Sequence, residues 1–442
     1  MDGPTSNQGD SLCPMTDRTP PAAWVTIALL GLMSILSFVD RYILALLVAP
    51  LKAELGLTDI QLGLLFGSTF AAFYGLASLP LARIADLGSR KWLLVAAVAV
   101  WSLCTSASAL ANSFAMLALL RAGLAIGEAA LSPTGFSLIV DSFPQRSRVF
   151  ALTIFSVCGM TGAATAYMIG AGVISVSQSL VASGQFAGMD VWRLCFLLVG
   201  LPGIVLAALF ALVVREPARH GADVHPPTIR AIFAYIRSKG MLFVGLFAGT
   251  GFAQLVANTM AAWSPTYLER TFGLTPEAAG VQFGIAQIFA AVGGTFFLPI
   301  FMRRLVARGR VLTASRIPAV FGGLGSAFVI VSVMLATPTG FLGSYAIGGF
   351  LLLGTANMSI LILQPVLPAQ MRATVTALGL ICVTAFGLGF GPALAAVFQG
   401  FAGEGQNPLG FGIAGIAVAG IIGSAGFYSM AIKRLELELK GL

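Results

Sequence analysis

Residues 215–240 read REPARHGADVHPPTIRAIFAYIRSKG, and what lies on either side of this polar stretch decides the fold. Upstream, six apolar runs follow one another at 24–49, 61–84, 92–111, 114–140, 149–176 and 192–214. Downstream there are six more, at 241–267, 278–302, 311–336, 340–366, 373–400 and 409–432. A helix needs about 20 predominantly apolar residues to cross the hydrocarbon of a bilayer. The chain therefore reads as an all-α polytopic membrane protein, with twelve transmembrane helices in two pseudo-symmetric six-helix bundles. Its units are a disordered N-terminus (1–22), a first bundle (23–214), a linker (215–240), a second bundle (241–433) and a short tail (434–442). The linker's end, from Ile229, has the pattern of an amphipathic helix lying on the membrane surface.

Composition excludes a soluble chain. Of 442 residues 57% are hydrophobic and 10% charged, with a mean hydropathy of +0.93, where soluble proteins carry about 25% charged residues. The net charge of +8 does not mark a nucleic-acid binder, because the basic residues lie in short loops between spans. With both termini placed in the cytoplasm, the only Lys and Arg outside the cytoplasmic segments are Lys52, Arg193 and Arg270, with Arg41 and Arg121 inside spans. That is the positive-inside pattern, and it predicts a multi-pass protein with cytoplasmic termini, while the short loops without extra domains suggest a bacterial inner membrane. Cys13, Cys104, Cys158, Cys195 and Cys382 are scattered without a CxxC, so neither a disulfide framework nor a metal site is expected. One chain of twelve spans is sufficient for transport, so a monomer is expected.

The halves resemble each other. Pro50-x3-Glu54-x-Gly56-Leu57-Thr58 with Gly63 follows span 1, and Pro265-x3-Glu269-x3-Gly273-Leu274-Thr275 with Gly280 follows span 7. Pro144-x3-Arg148 precedes span 5 as Pro368-x3-Arg372 precedes span 11. A duplicated six-helix unit is a signature of secondary transporters, whose substrate site lies near the midplane between the repeats.

At these residues the chain resembles the major facilitator superfamily. The span 2–3 loop, Ala82-Arg83-Ile84-Ala85-Asp86-Leu87-Gly88-Ser89-Arg90-Lys91, is similar to that family's cytoplasmic loop motif, with Ala82 where Gly is usual and Leu87 where Arg is usual. Its counterpart in the second half keeps Arg303, Arg304, Arg308 and Arg310 and lacks the acid. The resemblance implies a conformational latch from Asp86, Arg90, Lys91, Arg148 and Arg372; a solvated face is the other reading. Arg121-x5-Gly127-Glu128 in span 4 resembles the family's intramembrane arginine motif. Within the family, Phe38-Val39-Asp40-Arg41-Tyr42, Arg121 to Pro133 (RAGLAIGEAALSP), Trp192-Arg193 and Trp263-Ser264-Pro265-Thr266-Tyr267 resemble the spinster-like group. Its eukaryotic members imply a sphingosine-phosphate or lysophospholipid substrate. Pro265 and the Gly-Leu-Thr run also resemble organic-anion symporters, which keeps an organic anion/proton symporter and a drug/proton antiporter open.

Independently of any resemblance, Asp40, Arg41, Arg121 and Glu128 are the ionisable residues placed well inside spans. A charge at the bilayer centre costs about 2.5–3.5 kcal/mol on insertion scales, so these groups are expected to pair or to line water. Arg121 and Glu128, two turns apart, share a face of span 4. Asp40 and Arg41 are adjacent and cannot share one, so one enters the cavity and the other points sideways. The functional reading makes Asp40 and Glu128 proton carriers, with Arg121 and Arg41 as their partners or as clamps for an anionic headgroup. The alternative is a permanently paired network fastening span 1 to span 4. No cofactor is expected; a proton gradient supplies the energy. Tyr42, Gln254, Asn258, Asn357 and Gln364 are candidates to meet a small amphiphilic substrate, as are Arg41 and Arg121. Small residues in span 5 (Gly159, Gly162, Gly170) and span 8 (Gly284, Gly293, Gly294) suggest either a loose seam admitting an acyl tail or tight packing. Phe386 to Pro392 in span 11 (FGLGFGP) suggests either a broken, gating helix or close packing.

Other classes lack their parts. No GxxxxGK[ST] is present for an ATP-driven pump. Both histidines, His220 and His225, lie in the linker, so no enzyme constellation is visible. No repeated filter sequence suggests a channel. The expectation is a transporter with membrane lipids as neighbours.

Overall fold

A computed structural model describes residues 20–186, 188–219, 229–363, 367–368 and 371–439. The disordered N-terminus expected at 1–22 lies almost wholly outside the described residues. Among the described residues, twelve helices are long and apolar enough to cross a membrane. Spans 1–6 are Pro21–Leu46, Asp59–Leu87, Arg90–Leu110, Phe114–Ser142, Gln145–Ala182 and Val191–Val213. Spans 7–10 are Gly240–Phe272, Pro276–Ala307, Leu312–Met334 and Pro338–Leu363. Span 11 is Arg372–Gln399, and span 12 is Pro408–Leu437. An even number of crossings puts the start of span 1, Pro21, and the end of span 12, Leu437, on one side, the terminal side; the opposite side is the far side. The structured ends outrun the expected ones because helices continue past the hydrocarbon. Span 5, at 38 residues, is about 57 Å long against a core of about 30 Å.

Both repeats turn the same way after their first helix. Gly56 and Gly273 take left-handed φ values of +63° and +70°, which end a helix without a Cβ penalty. Two residues on, Thr58 and Thr275 start the next helix, their hydroxyls accepting from the N–H groups of Gln61 (3.2 Å) and Ala278 (3.3 Å). The Gly-Leu-Thr run is thus a stop followed by a start, built twice.

Span 4 is not one regular helix. It runs Phe114–Glu128, breaks at 129–130 and resumes at Leu131–Ser142. Pro133 accounts for the break, since its ring clashes with the carbonyl four residues back, at Ala129, and it has no N–H. Glu128 ends the first segment, at the interruption.

The bundles meet on the far side. Span 5 packs on span 8, and span 2 on span 11. Span 2 contains a π turn at Leu64–Ser68; there Ser68 donates its hydroxyl to Gly389 O at 2.5 Å. Tyr167 OH donates to Ala261 O at 2.5 Å. At the far end Arg270 donates twice to Asp59, at 2.8 and 2.9 Å, and Lys52 joins at 2.8 Å. Gln178 donates to Glu277. Among the described residues, the hydrogen bonds joining the two bundles lie between mid-membrane and the far end.

Asp59→Asn removes the anion shared by Lys52 and Arg270. Partly exposed pairs contribute about 1 kcal/mol at most, so the population open on the far side should rise about fivefold. Double electron–electron resonance between labels on the far ends of spans 2 and 7 checks this, and an unchanged distance distribution would count against it.

The small residues serve close packing. A Cβ on Gly162 would stand 2.7 Å from Ile35 Cα, and one on Gly294 2.3 Å from Phe350 O, both contacts within a bundle. On Gly284 it would stand 2.6 Å from Met168 Cγ, across the 5–8 seam. The loose seam is therefore not what these residues build. Span 11 is continuous through Phe386–Pro392; Gly387 backs onto Gln254, and Gly391 onto Leu255 O.

Candidate functional site

A cavity of about 540 Å³ opens between spans 2, 4 and 11, with Arg41 of span 1 at its inner end. Phe70, Tyr74, Leu79, Phe136 and Leu388 give it apolar walls, and Ser78, Ser132 and Thr384 add hydroxyls. The lining descends span 2 to Ala82, close to the terminal side. The cavity thus runs from mid-membrane toward the termini while the far side is closed.

Arg41 is held from two directions. Its guanidinium donates to Glu128 Oε2 at 2.5 Å and lies over the rings of Phe70, Phe38 and Tyr74 at 4.3, 5.1 and 5.9 Å. A planar delocalised cation suits an aromatic bed and a carboxylate at once. The side chain keeps 15% of its surface and Glu128 1%, so Arg41 faces the cavity and Glu128 stands behind it.

Asp40 faces the other way, as adjacency requires. It is fully buried, with the Thr105 hydroxyl, Arg121 and Glu128 beside it, and none of the described ion pairs includes it. Arg121 does not close on that carboxylate. It donates instead to the backbone carbonyls of Asp40 (3.1 Å) and Arg41 (3.2 Å), pinning span 1 to span 4. The four charges therefore form one ion pair, one backbone clamp and one buried acid outside the described ion pairs. Of Arg41 and Arg121, only Arg41 lines the cavity.

The other candidates are dispersed. Tyr42 stacks on Tyr167, ring centroids 5.0 Å apart, in an aromatic column continued by Phe283 and Tyr345 across the bundles. Gln254 packs against Gly387 of span 11. Asn258 donates back to Gln254 O at 2.8 Å within its own helix. Asn357 is half-buried on span 10. None of these four lines the cavity; Gln364 lies outside the described residues. Phe70, Tyr74, Ser78, Ser132, Phe136 and Thr384 do line it without having been candidates. The one signal was the aromatic spacing Phe70–Tyr74, one turn on span 2, which core packing produces equally well.

At the terminal side Arg90 is a hub, 1% exposed. It pairs with Asp141 at the end of span 4 and with Glu216 after span 6 (2.8 Å), and donates to Pro217 O at 2.8 Å. Glu216 also accepts from Lys91 N (2.8 Å) and Ser89 Oγ (2.7 Å). Arg219 donates to the carbonyls of Ala85 (2.9 Å) and Gly88 (2.6 Å), closing the end of span 2. Asp86 is exposed and makes none of the described ion pairs. Arg148 is half-buried, and the Arg372 side chain lies outside the described ones. The acids that hold the basic motif here are Glu216 and Asp141, far off in sequence.

Burial works against the Glu216 charge, but the hydrogen bonds from Arg90, Lys91 and Ser89 outweigh it and hold its carboxyl below the usual glutamate range. A depressed carboxyl stabilises above its unfolded pKa, near 4.5, and that stabilisation is lost as pH falls through the folded value. The gap in unfolding midpoint between wild type and Glu216→Gln should therefore be constant near neutrality and shrink below about pH 4.5. A gap independent of pH would contradict this.

Residues 30–392 match the model of the Major Facilitator Superfamily. An MFS-type efflux pump of Mycolicibacterium smegmatis is 29% identical over 379 residues, 83% of this chain and 82% of that protein. The sphingosine-1-phosphate transporter SPNS2 of Mus musculus is 26% identical over 377 residues, 79% of this chain and 65% of that one. A hexuronate transporter of Bacillus subtilis is 27% identical over 77% of this chain and 79% of its own length. Among solved structures, a bacterial homologue of the human lysosomal transporter spinster, inward-facing and unoccupied, superposes with a TM-score of 0.82 at 26% identity. That match covers 94% of this chain and 98% of the other.

Proposed function

The chain belongs to the major facilitator superfamily, and on that premise we propose that it moves a lipid-like amphiphile with an anionic head, coupled to protons. It is a multi-pass membrane transporter of small molecules, and its relatives and fold neighbours are transporters rather than enzymes. The observation that carries the finer reading is the cavity's polarity. One cation, Arg41, stands at the inner end of an otherwise mainly apolar space. A phosphate or carboxylate head on Arg41 competes with Glu128 for the guanidinium, while an alkyl tail lies along Phe70, Leu79 and Phe136 toward the terminal side. The similarity to SPNS2 favours a sphingoid phosphate or lysophospholipid. A sugar acid, with its many hydroxyls, meets few matching groups here: Ser78, Ser132 and Thr384. A drug-exporting reading draws on the efflux pump and shares the apolar walls, but gives Arg41 no anion to hold.

Proton coupling follows from what the head does to Glu128. When substrate takes Arg41, Glu128 is left buried without its ion-pair partner, Arg121 nearby being engaged by backbone carbonyls, a state less costly as the neutral acid. Asp40, buried next to it and in none of the described ion pairs, is the second carrier. Substrate and proton therefore exchange at one ion pair, and Arg121 holds span 1 in place meanwhile. The Lys/Arg bias favours a cytoplasmic terminal side, which makes this conformation inward-open. A panel test separates the readings. Purified protein in proteoliposomes is offered labelled lysophospholipid, sphingoid phosphate, a cationic dye and a hexuronate in counterflow. Exchange of the lipids alone supports the proposal; exchange of the dye or the hexuronate alone overturns it.

A further inference from the structure

The linker forms a helix, Ile229–Ser238, immediately before span 7. Three- and four-residue spacing gives it two faces, Ile232-Tyr235-Ile236 and Arg230-Phe233-Arg237. The first face is used by the second bundle. Ile232 is buried with Leu242 and Phe243, Tyr235 and Ile236 pack on them, and the Tyr235 ring meets Phe243 edge-on at 6.1 Å. The second face is turned away from that core: Phe233 is 59% exposed, and Arg230 and Arg237 are exposed beside it.

Phe243 lies in the first turn of span 7, so the packing of Tyr235 on it holds the helix at the depth where that span leaves the membrane. A large ring between two arginines at this depth suits the headgroup–acyl boundary, the ring entering and the guanidiniums staying with phosphates. The surroundings have the same sign. Arg303, Arg304, Arg308 and Arg310 are exposed on the same side of the bundle, and Glu436, the acid there among the described side chains, is engaged by Arg316 at 3.1 Å.

We propose that the Arg230–Phe233–Arg237 stripe docks the headgroups of anionic membrane phospholipids. Position decides for lipid over a soluble anion, because span 7 fixes the stripe at the surface where lipid phosphates are concentrated. A basic residue near an anionic surface contributes about 1 kcal/mol, so removing two weakens the attraction on the order of thirtyfold.

The test is the relative affinity of the full chain, in neutral detergent, for fluorescent phosphatidylglycerol over phosphatidylcholine, read by energy transfer. Wild type should prefer phosphatidylglycerol, with a preference that falls as salt rises. Arg230→Gln/Arg237→Gln should lose about thirtyfold of it, with its unfolding midpoint in neutral detergent unchanged because Ile232 and Tyr235 are untouched. Arg230→Lys/Arg237→Lys should retain it, which separates lost charge from lost fold. The proposal is overturned if wild type shows no preference, if the glutamine variant keeps it, or if millimolar inorganic phosphate displaces the lipid.

Discussion

Arg41→Ala should abolish gradient-driven transport and destabilise the protein by about 3–5 kcal/mol, the range for breaking a buried ion pair from one side. Glu128 is the reason. Its side chain is 1% exposed and its ion pair is with Arg41, while Arg121, the other cation near it, is engaged by backbone carbonyls. The double variant Arg41→Ala/Glu128→Gln removes the stranded charge and should recover most of the stability without recovering flux. That non-additivity belongs to a directly paired couple. Arg41→Lys keeps a charge near Glu128 but loses the planar face over Phe70. It should unfold near the wild-type midpoint and transport at least tenfold more slowly. Unfolding in detergent and flux in proteoliposomes measure both. If Arg41→Ala were as stable as wild type, Glu128 would need another partner in the folded protein.

Gly67→Val is expected to stop transport by a different route. A Cβ at residue 67 would stand 2.0 Å from Leu388 O, a backbone atom with nowhere to go, and one at Gly63 would stand 2.8 Å from Pro392 O. Span 2 then cannot approach span 11, and the far side cannot close. The chain should still assemble, because this contact joins the bundles and is not part of either one's core. Flux should fall at least a hundredfold. Ala261, buried here beneath Tyr167, should become reachable once replaced by cysteine. On a background without the five native cysteines, an impermeant thiol reagent should label Ala261→Cys from the far side in the Gly67→Val protein. Gly172→Ala is the control, since nothing lies within 4 Å of its Cβ. Absence of labelling with flux lost would mean that Gly67 serves something other than closure.

The twelve crossings were legible because length and apolarity alone define a span, and the linker because its charges cannot enter lipid. The repeat was legible because left-handed glycine and a threonine cap are local requirements. Rotation about the helix axis was not. In a soluble helix the polar face reports orientation, but lipid is as apolar as the core. That is why Tyr42, next to Arg41 in sequence, turns out to belong to the inter-bundle aromatic column. It is also why Phe70 and Tyr74 gave no sign that they line the cavity. Adjacency did say that Asp40 and Arg41 must diverge, and they do, Arg41 onto Glu128 at the cavity and Asp40 away from it. Long-range partners such as Glu216 for Arg90, 126 residues apart, leave no local pattern. The acid in the loop motif, Asp86, drew attention away from them. The duplication itself carries information on coupling. By the offset that maps Pro50 onto Pro265, Asp40 and Arg41 fall on Leu255 and Val256, so the second bundle repeats the frame without the charges.

On the proposed mechanism, substrate and proton exchange at the Arg41–Glu128 pair. The most direct test of this is uptake of labelled lysophospholipid and sphingoid phosphate into proteoliposomes, with and without a pH gradient, for wild type and Glu128→Gln. Wild type should show flux driven by the gradient, and the variant only gradient-independent exchange. Equal gradient-driven flux in both would contradict the mechanism and leave Glu128 a structural partner of Arg41.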